Sequence, residues 1–486
     1  MNQARACNLL VAGIGVLFAA CSSSSTPGDI QPSGESGAVE ESATSILTLP
    51  AGSADALGHG GRLATGDFNA DGVDDLVVGV PGADGLAGDR QDAGAAYVLE
   101  GTLAAGESSA SSEALLTIMG AVAGDNLGFS VGAGDLNSDG ADDIIVGAIG
   151  SNGIPEVRTD MGEVYVVFGG SDTSGILDIA EREFDIVVQP AEGFSQLGSA
   201  LALGDVNGDG IDDLVAGAPF AGRLAGSPVG GPRTTVGEVY AIYGGEGIGG
   251  TIRVSEGDED LLLRGASEFD QFGASVDIGN VNGDSMGYIV VGAPGFDPAG
   301  GPADGGAAFI FDGGGLSSPT TVDQASESLN GHVEGGRAGD LAVAVEGTGS
   351  LLVAAPNEGL TDRPGCGVAR YGSATYAGSA AGEFFPGAAA SVILDEESLL
   401  IFGSPLADSE AGAVFLVEAA TSGEIDLAVP PDGSRVLTGK PGSGLGVAVS
   451  VGDYDGDGRV ELALLASSRV SSASIADRGA VYIVEL

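Results

Sequence analysis

Oxygen-bearing side chains at alternate positions recur five times, in residues 67–81, 135–149, 205–219, 280–294 and 453–467. The first copy reads Asp-Phe-Asn-Ala-Asp-Gly-Val-Asp-Asp-Leu-Val-Val-Gly-Val-Pro, and every copy has Asp or Asn at positions 1, 3 and 5. The first three have Gly at position 6 and Asp at position 9, and the last has Gly458 and Glu461 there. That spacing suits a hard cation, because Ca²⁺ takes six to eight oxygens at about 2.3–2.6 Å. Alternate residues of a short folded-back loop point inward together, and a Gly at the sharp turn admits φ > 0 without a Cβ penalty. Position 7 (Val73, Ala141, Ile211) is apolar, so only its carbonyl can serve. Position 9 closes the cage where an apolar run begins.

The same residues argue against an EF-hand, whose loop needs a bidentate Glu at position 12 between two helices. Position 12 here is Val78, Val146 or Ala216, inside a short β-branched run that ends in Gly and Pro or Ile and reads as a strand. Other chemistry finds little support. His59 occupies an apolar place of its repeat, His332 lies in a Gly-rich connection, and no Cys/His spacing for zinc exists. Cys366 reads as a small buried residue. Gly-x-Ser-x-Gly occurs around Ser130 and Ser285, but a nucleophile elbow needs a strand before it and a helix after it. Acid pairs such as Asp74-Asp75 recur with the loops and read as ligands.

The elements that must position these loops repeat with them. Eight residues before each loop stands a residue followed by Gly: His59, Leu127, Leu197, Phe272 and Leu445. Beyond each loop, Gly precedes an apolar strand with an aromatic three places on (Gly94/Tyr97, Gly162/Tyr165, Gly237/Tyr240, Gly306/Phe309, Gly479/Tyr482), and Gly412/Phe415 repeats the pattern without a loop before it. Outer strands are expected at 115–118, 186–188, 261–263 and 435–437. Two further units, around 338–370 and 391–415, keep the strands and lack the loop, which makes seven units. Four-stranded units repeated radially form a β-propeller with short protected edges. Residues 46–49 resemble an outer strand and are expected to complete the last blade beside 482–486. A nonapeptide β-helix would need a period of 9 and Gly-Gly-x-Gly-x-Asp, and neither is present.

Phe272-Gly273 with Gly292-Ala293-Pro294, and Gly217-Ala218-Pro219, make the units resemble FG-GAP repeats, those of the seven-bladed integrin α-subunit head. The resemblance covers about 440 residues and implies metal ligands at positions 1, 3, 5, 7 (carbonyl) and 9. Carried over, the first loop supplies Asp67, Asn69, Asp71, Val73 and Asp75, and the second Asp135, Asn137, Asp139, Ala141 and Asp143. The third supplies Asp205, Asn207, Asp209, Ile211 and Asp213, and the last Asp453, Asp455, Asp457, Arg459 and Glu461. The fourth keeps Asn280, Asn282 and Asp284, but Ser285 replaces the Gly and Tyr288 the closing acid, so a weak or empty site is expected. The resemblance thus implies about four Ca²⁺ sites on one arc of the ring, with a structural role, and a bare arc opposite.

Net charge is −52, from 69 acidic residues against 16 Arg and one Lys, a field that repels phosphate backbones and argues against nucleic acid as a partner. Apolar residues at 43% are ample for a β core. Residues 9–20 form an apolar stretch of 12 behind Arg5, too short to span a bilayer, which needs about 20. Phe18-Ala19-Ala20-Cys21 resembles the lipobox of bacterial lipoproteins, which implies a signal peptide over 1–20 and lipidation of Cys21. Ser22 fits the outer-membrane sorting pattern. Residues 21–44, rich in Ser, Gly, Glu and Pro, read as the lipidated Cys and a flexible linker, and 45–486 as the propeller.

Long second-to-third-strand connections leave the face opposite the loops and hold Arg90, Arg158, Arg223 and Arg233. They are the candidate ligand face for an acidic protein or polysaccharide. The expectation is therefore a non-enzymatic, calcium-stabilised binding or adhesion module, tethered to a bacterial outer membrane through its lipid alone. The alternatives are a calcium-dependent polysaccharide lyase or hydrolase, and a scaffold subunit of an envelope complex.

Overall fold

The computed structural model describes residues 35–49, 62–85, 88–101, 106–152, 162–190, 193–222, 235–280, 287–345, 350–360, 363–380, 385–394, 397–407, 411–420, 422–467 and 479–486. They form seven small, mostly antiparallel sheets arranged as the blades of a β-propeller. The first blade is built in chain order from Leu63–Gly66, Asp75–Val80, Ala95–Leu99 and Ala114–Met119, innermost to outermost. Asp75–Val80 is buried at every position, as a continuous apolar run requires when both faces of its blade are covered. The other expected outer strands appear at Ile186–Gln189, Leu261–Arg264 and Arg435–Thr438.

Consecutive blades touch through their inner strands, and the last returns to the first. Glycine makes the close approach possible. A Cβ on Gly79 would lie 2.2 Å from the carbonyl oxygen of Gly128 in the next blade, and Gly128 itself has φ +84°. The ring closes as expected: Ala43–Thr48, from the start of the chain, pairs antiparallel with Ala480–Glu485 at its end.

Each blade has more than four strands where its neighbour permits. The connection from third to fourth strand reaches back and lays a short parallel strand on the outer edge of the preceding blade. Gly106–Ser109 caps the seventh blade, Gly175–Asp178 the first, Gly250–Arg253 the second, Thr320–Thr321 the third and Ser422–Asp426 the fifth.

The sixth is capped by Glu35–Ala38. This corrects the linker reading of 21–44: residues 35–38 are main-chain partners of 435–438, and Val39 behind them is fully buried. Glu40 accepts Lys440 at 3.2 Å. Main-chain pairing fixes a segment whose composition alone reads as solvated. Cys21, the signal peptide and the remaining linker lie outside the described residues. Among the described residues no helix is long and apolar enough to cross a membrane.

Candidate metal centre

Each loop joins the two innermost strands of its blade. In the first, the Asp67 carboxylate accepts the amides of Asp71 (3.0 Å) and Gly72 (2.9 Å). Asn69 Oδ1 accepts Asp71 N at 2.9 Å, and Asp71 Oδ1 accepts Val73 N at 2.9 Å. The same net recurs through Asp135, Asn137, Asp139 and the Ala141 amide. It recurs again through Asp205, Asn207, Asp209 and the Ile211 amide. In the last loop Asp453, Asp455, Asp457 and the Arg459 amide repeat it. Gly72, Gly140, Gly210 and Gly458 are left-handed, as position 6 requires. Position 4 is left-handed too (Ala70, Ser138, Gly208, Gly456), a feature the sequence did not announce.

Position 9 is the buried end of the cage: Asp75, Asp143 and Asp213 have no exposed surface and Glu461 has 3%. Each accepts amides from its own blade, Asp143 from Leu136 and Gly169 and Asp213 from Val206 and Gly244. Gly169 has to be glycine, because a Cβ there would meet the Asp142 carbonyl at 2.1 Å. Burial nevertheless pushes Asp75 and Asp143 up to about 7 and Asp213 to about 6, and raises Glu461 as well. Asp75 Oδ2 is buried with no hydrogen-bond donor. In the last loop Asp453, Asp455 and Glu461 bring one oxygen each within 4.8 Å of one another.

These residues fit a hard divalent ion. The side-chain donors are all oxygen, the innermost carboxylates are costly to ionise without a cation, and one of their oxygens lacks any partner. The ion would be held by the position 1, 3, 5 and 9 side chains and would supply the positive charge that desolvation demands. In the fourth loop Asn282 and Asp284 lie outside the described residues. Asn280 precedes them, and Tyr288 opens the strand Tyr288–Ala293 where the other loops place an acid.

The acid at position 8 is not turned into its own loop. Asp142 Oδ2 accepts the amide of Asp67 in the preceding blade at 2.8 Å, and Asp142 N donates to the Asp67 carbonyl. Asp74 does the same to Asp453, and Asp212 accepts from Asp135 N at 3.2 Å. This corrects the reading of both acids of each pair as ligands: position 9 faces the cage and position 8 fastens it to the loop of the preceding blade. Position 8 of the last loop is Val460, and the sixth blade before it has a short turn in place of a loop. Position 8 is thus Asp in the first three loops and Val in the last, where no loop precedes; in the fourth it is Gly287, which keeps only the main-chain bond to the Asp205 carbonyl.

The arginine face is corrected in its one described member. Arg90 gives Nη1 to the carbonyls of Gly120 and Ala121 and pairs bidentately with Asp178 at 2.7–2.8 Å. It clamps the outer strand of the first blade to its cap and is not offered to a ligand. Arg363 repeats the clamp in the fifth blade, on Gly378, Ser379 and Asp426. Arg158, Arg223 and Arg233 lie outside the described residues. On the same face sequence reasoning missed two buried carboxylates. Glu163 accepts Ser151, Tyr165 and Gln189, and Glu238 accepts Tyr240 and Arg264.

Three stretches, 59–99, 127–167 and 197–242, match the FG-GAP repeat, each running from the residue before the strand-leading Gly to the third strand. The chain carries FG-GAP repeats. Its FG-GAP propeller is similar to that of integrin alpha-5 from Xenopus laevis, 31% identical over 202 residues, 40% of this chain and 16% of that protein. Integrin alpha-PS3 from Drosophila melanogaster is 41% identical over 101 residues, 21% of this chain and 8% of that protein. Phosphatidylinositol-glycan-specific phospholipase D from Homo sapiens is 29% identical over 212 residues, 43% of this chain and 23% of that protein. The match therefore spans less than a quarter of each relative's length. The FG-GAP propeller is integrin-alpha-like in its repeats and in its seven blades.

Proposed function

We propose that the protein is a calcium-stabilised, non-enzymatic binding module, and that its N-terminal segment tethers it to a bacterial cell envelope through lipidated Cys21. The observation that carries the metal half is the repeated carboxylate net with its buried position 9. Binding only the folded state, an ion at tenfold over its Kd stabilises by about 1.4 kcal/mol per site. The shared stretch with the phospholipase D is under a quarter of that enzyme, and the residues here favour binding over catalysis. Ser130, inside Gly-Phe-Ser-Val-Gly, is buried in a strand and gives its hydroxyl to the Gly198 carbonyl.

The binding face is the one opposite the metal loops, read from aromatic side chains in place of the arginines. Phe194 and Phe269 are 50% and 66% exposed on equivalent fourth-to-first-strand turns of adjacent blades. Both are left-handed, φ 59° and 68°, at a position that is Gly124, Gly335 and Gly442 in three other blades. A bulky residue there is strained by about 1–2 kcal/mol, and strain of this kind gathers at functional sites. Exposed rings on a rigid ring of blades suit a protein or glycan ligand.

Two measurements test the reading. Thermal melting in millimolar calcium should exceed that in chelator, and identical curves would remove the metal half. Phe269→Gly should raise stability by about 1 kcal/mol, through relief of the left-handed strain, and abolish ligand retention on glycan and protein arrays. Unchanged retention would remove the binding face.

A further inference from the structure

Among the described residues, six of the seven blades carry a parallel cap on their outer strand, and the fourth does not. The cause is in the fifth blade, whose third strand Val368–Tyr371 and fourth strand Ser373–Ala377 are joined by Gly372 alone. With no excursion there, nothing reaches back. The outer strand of the fourth blade, Glu327–Asn330, pairs inward with Ala307–Ile310 and has no described strand on its other side. Its residues 327, 328 and 330 are exposed, whereas in the capped second blade Ile186–Val188 are buried. Alternate N–H and C=O groups of an uncovered edge turn to water and form a template for an incoming strand.

We infer that Glu327–Asn330 is a β-augmentation edge, which takes an extended, non-acidic segment of a partner protein in the parallel orientation the other caps use. The caps define the geometry: about four residues, main-chain bonds for affinity, and few side-chain demands. Charge defines the chemistry. Asp323, Glu327 and Glu334 are exposed around the edge, and Arg337 is already paired with Asp340 at 2.7 Å. A basic or neutral strand is drawn in and an acidic one repelled. The same charge disfavours a second copy, since two chains of net charge −52 would bring Glu327 edges together.

The test is hydrogen exchange on the full chain with three synthetic peptides. The first copies residues 249–254, Gly-Gly-Thr-Ile-Arg-Val, which contain the cap of the second blade. The second replaces its Ile by Pro, and the third copies the acidic residues 422–427, Ser-Gly-Glu-Ile-Asp-Leu. Without peptide, the 327–330 amides should exchange at least tenfold faster, taken together, than those of 186–189. At millimolar concentration the first peptide should slow the 327–330 amides at least tenfold, and the other two should not. Equal protection without peptide would overturn the inference, and so would no response to the first peptide or an equal response to all three. Protection that grows with protein concentration, with a dimer in sedimentation, would assign the edge to a second copy and overturn it too.

Discussion

Ionising a buried carboxylate is the dominant cost inside each loop, and it gives the metal-free protein an unusual pH dependence. Asp75 and Asp143 at about 7 and Asp213 at about 6 lie above the ordinary 3.8 of an unfolded Asp. The folded state therefore holds protons that the unfolded state has released between these values. Stability from these groups is complete below about pH 4 and lost as pH rises through 6 to 7. In chelator, the melting temperature should climb as pH is lowered from 8 to 5.5. In saturating calcium it should stay level or fall, because protons then compete with the ion. A chelated protein that melts lower at pH 5.5 than at pH 8 would contradict this. The ligand positions themselves were legible in the sequence because each sits at a fixed offset from a turn Gly. The left-handed position 4 was not, since Ala70 and Ser138 give no sign of it.

Between elements, the fasteners and clamps hold neighbouring blades together. Asp142→Ala removes a charge-assisted bond to the Asp67 amide and should cost about 1.5–3 kcal/mol in chemical denaturation. Val460→Asp should give no gain, because the sixth blade lacks in its sequence the loop whose first amide the other position 8 acids accept. Arg90→Gln should lower stability by a similar amount while leaving ligand retention intact, since Arg90 is engaged with Asp178 and two carbonyls. Retention lost at unchanged stability would return Arg90 to the ligand face. The buried strands were readable because Leu-Val-Val and its variants are apolar throughout and end in Gly. The caps were not: Gly-Glu-Ser-Ser at 106–109 is polar, exposed at its first two residues and half-buried at the others, and main-chain pairing makes it a strand.

For the whole molecule, closure by Ala43–Thr48 is the step on which the rest depends. Removal of residues 1–34 should leave the melting temperature within a degree or two of the full chain. Removal through residue 42 should lower it by several degrees, through loss of the sixth-blade cap and buried Val39. Removal through residue 49 should abolish cooperative melting, since the seventh blade then lacks its outer strand. Cooperative melting that survives the last truncation would show that the ring does not need this seam. The seven-fold architecture and the seam followed from repeat spacing. The place of residues 35–38 in the ring did not, because Glu35–Ala38 has the composition of a linker.

The backward reach of the caps also separates the unit of sequence from the unit of structure. One period of the chain, from Gly106 to Val167, contributes a cap to the seventh blade, an outer strand to the first and three strands to the second. Recombination that swaps one period for another thus rewrites parts of three blades at once. Such a ring can diversify readily by loop substitution, and only with difficulty by shuffling whole repeats.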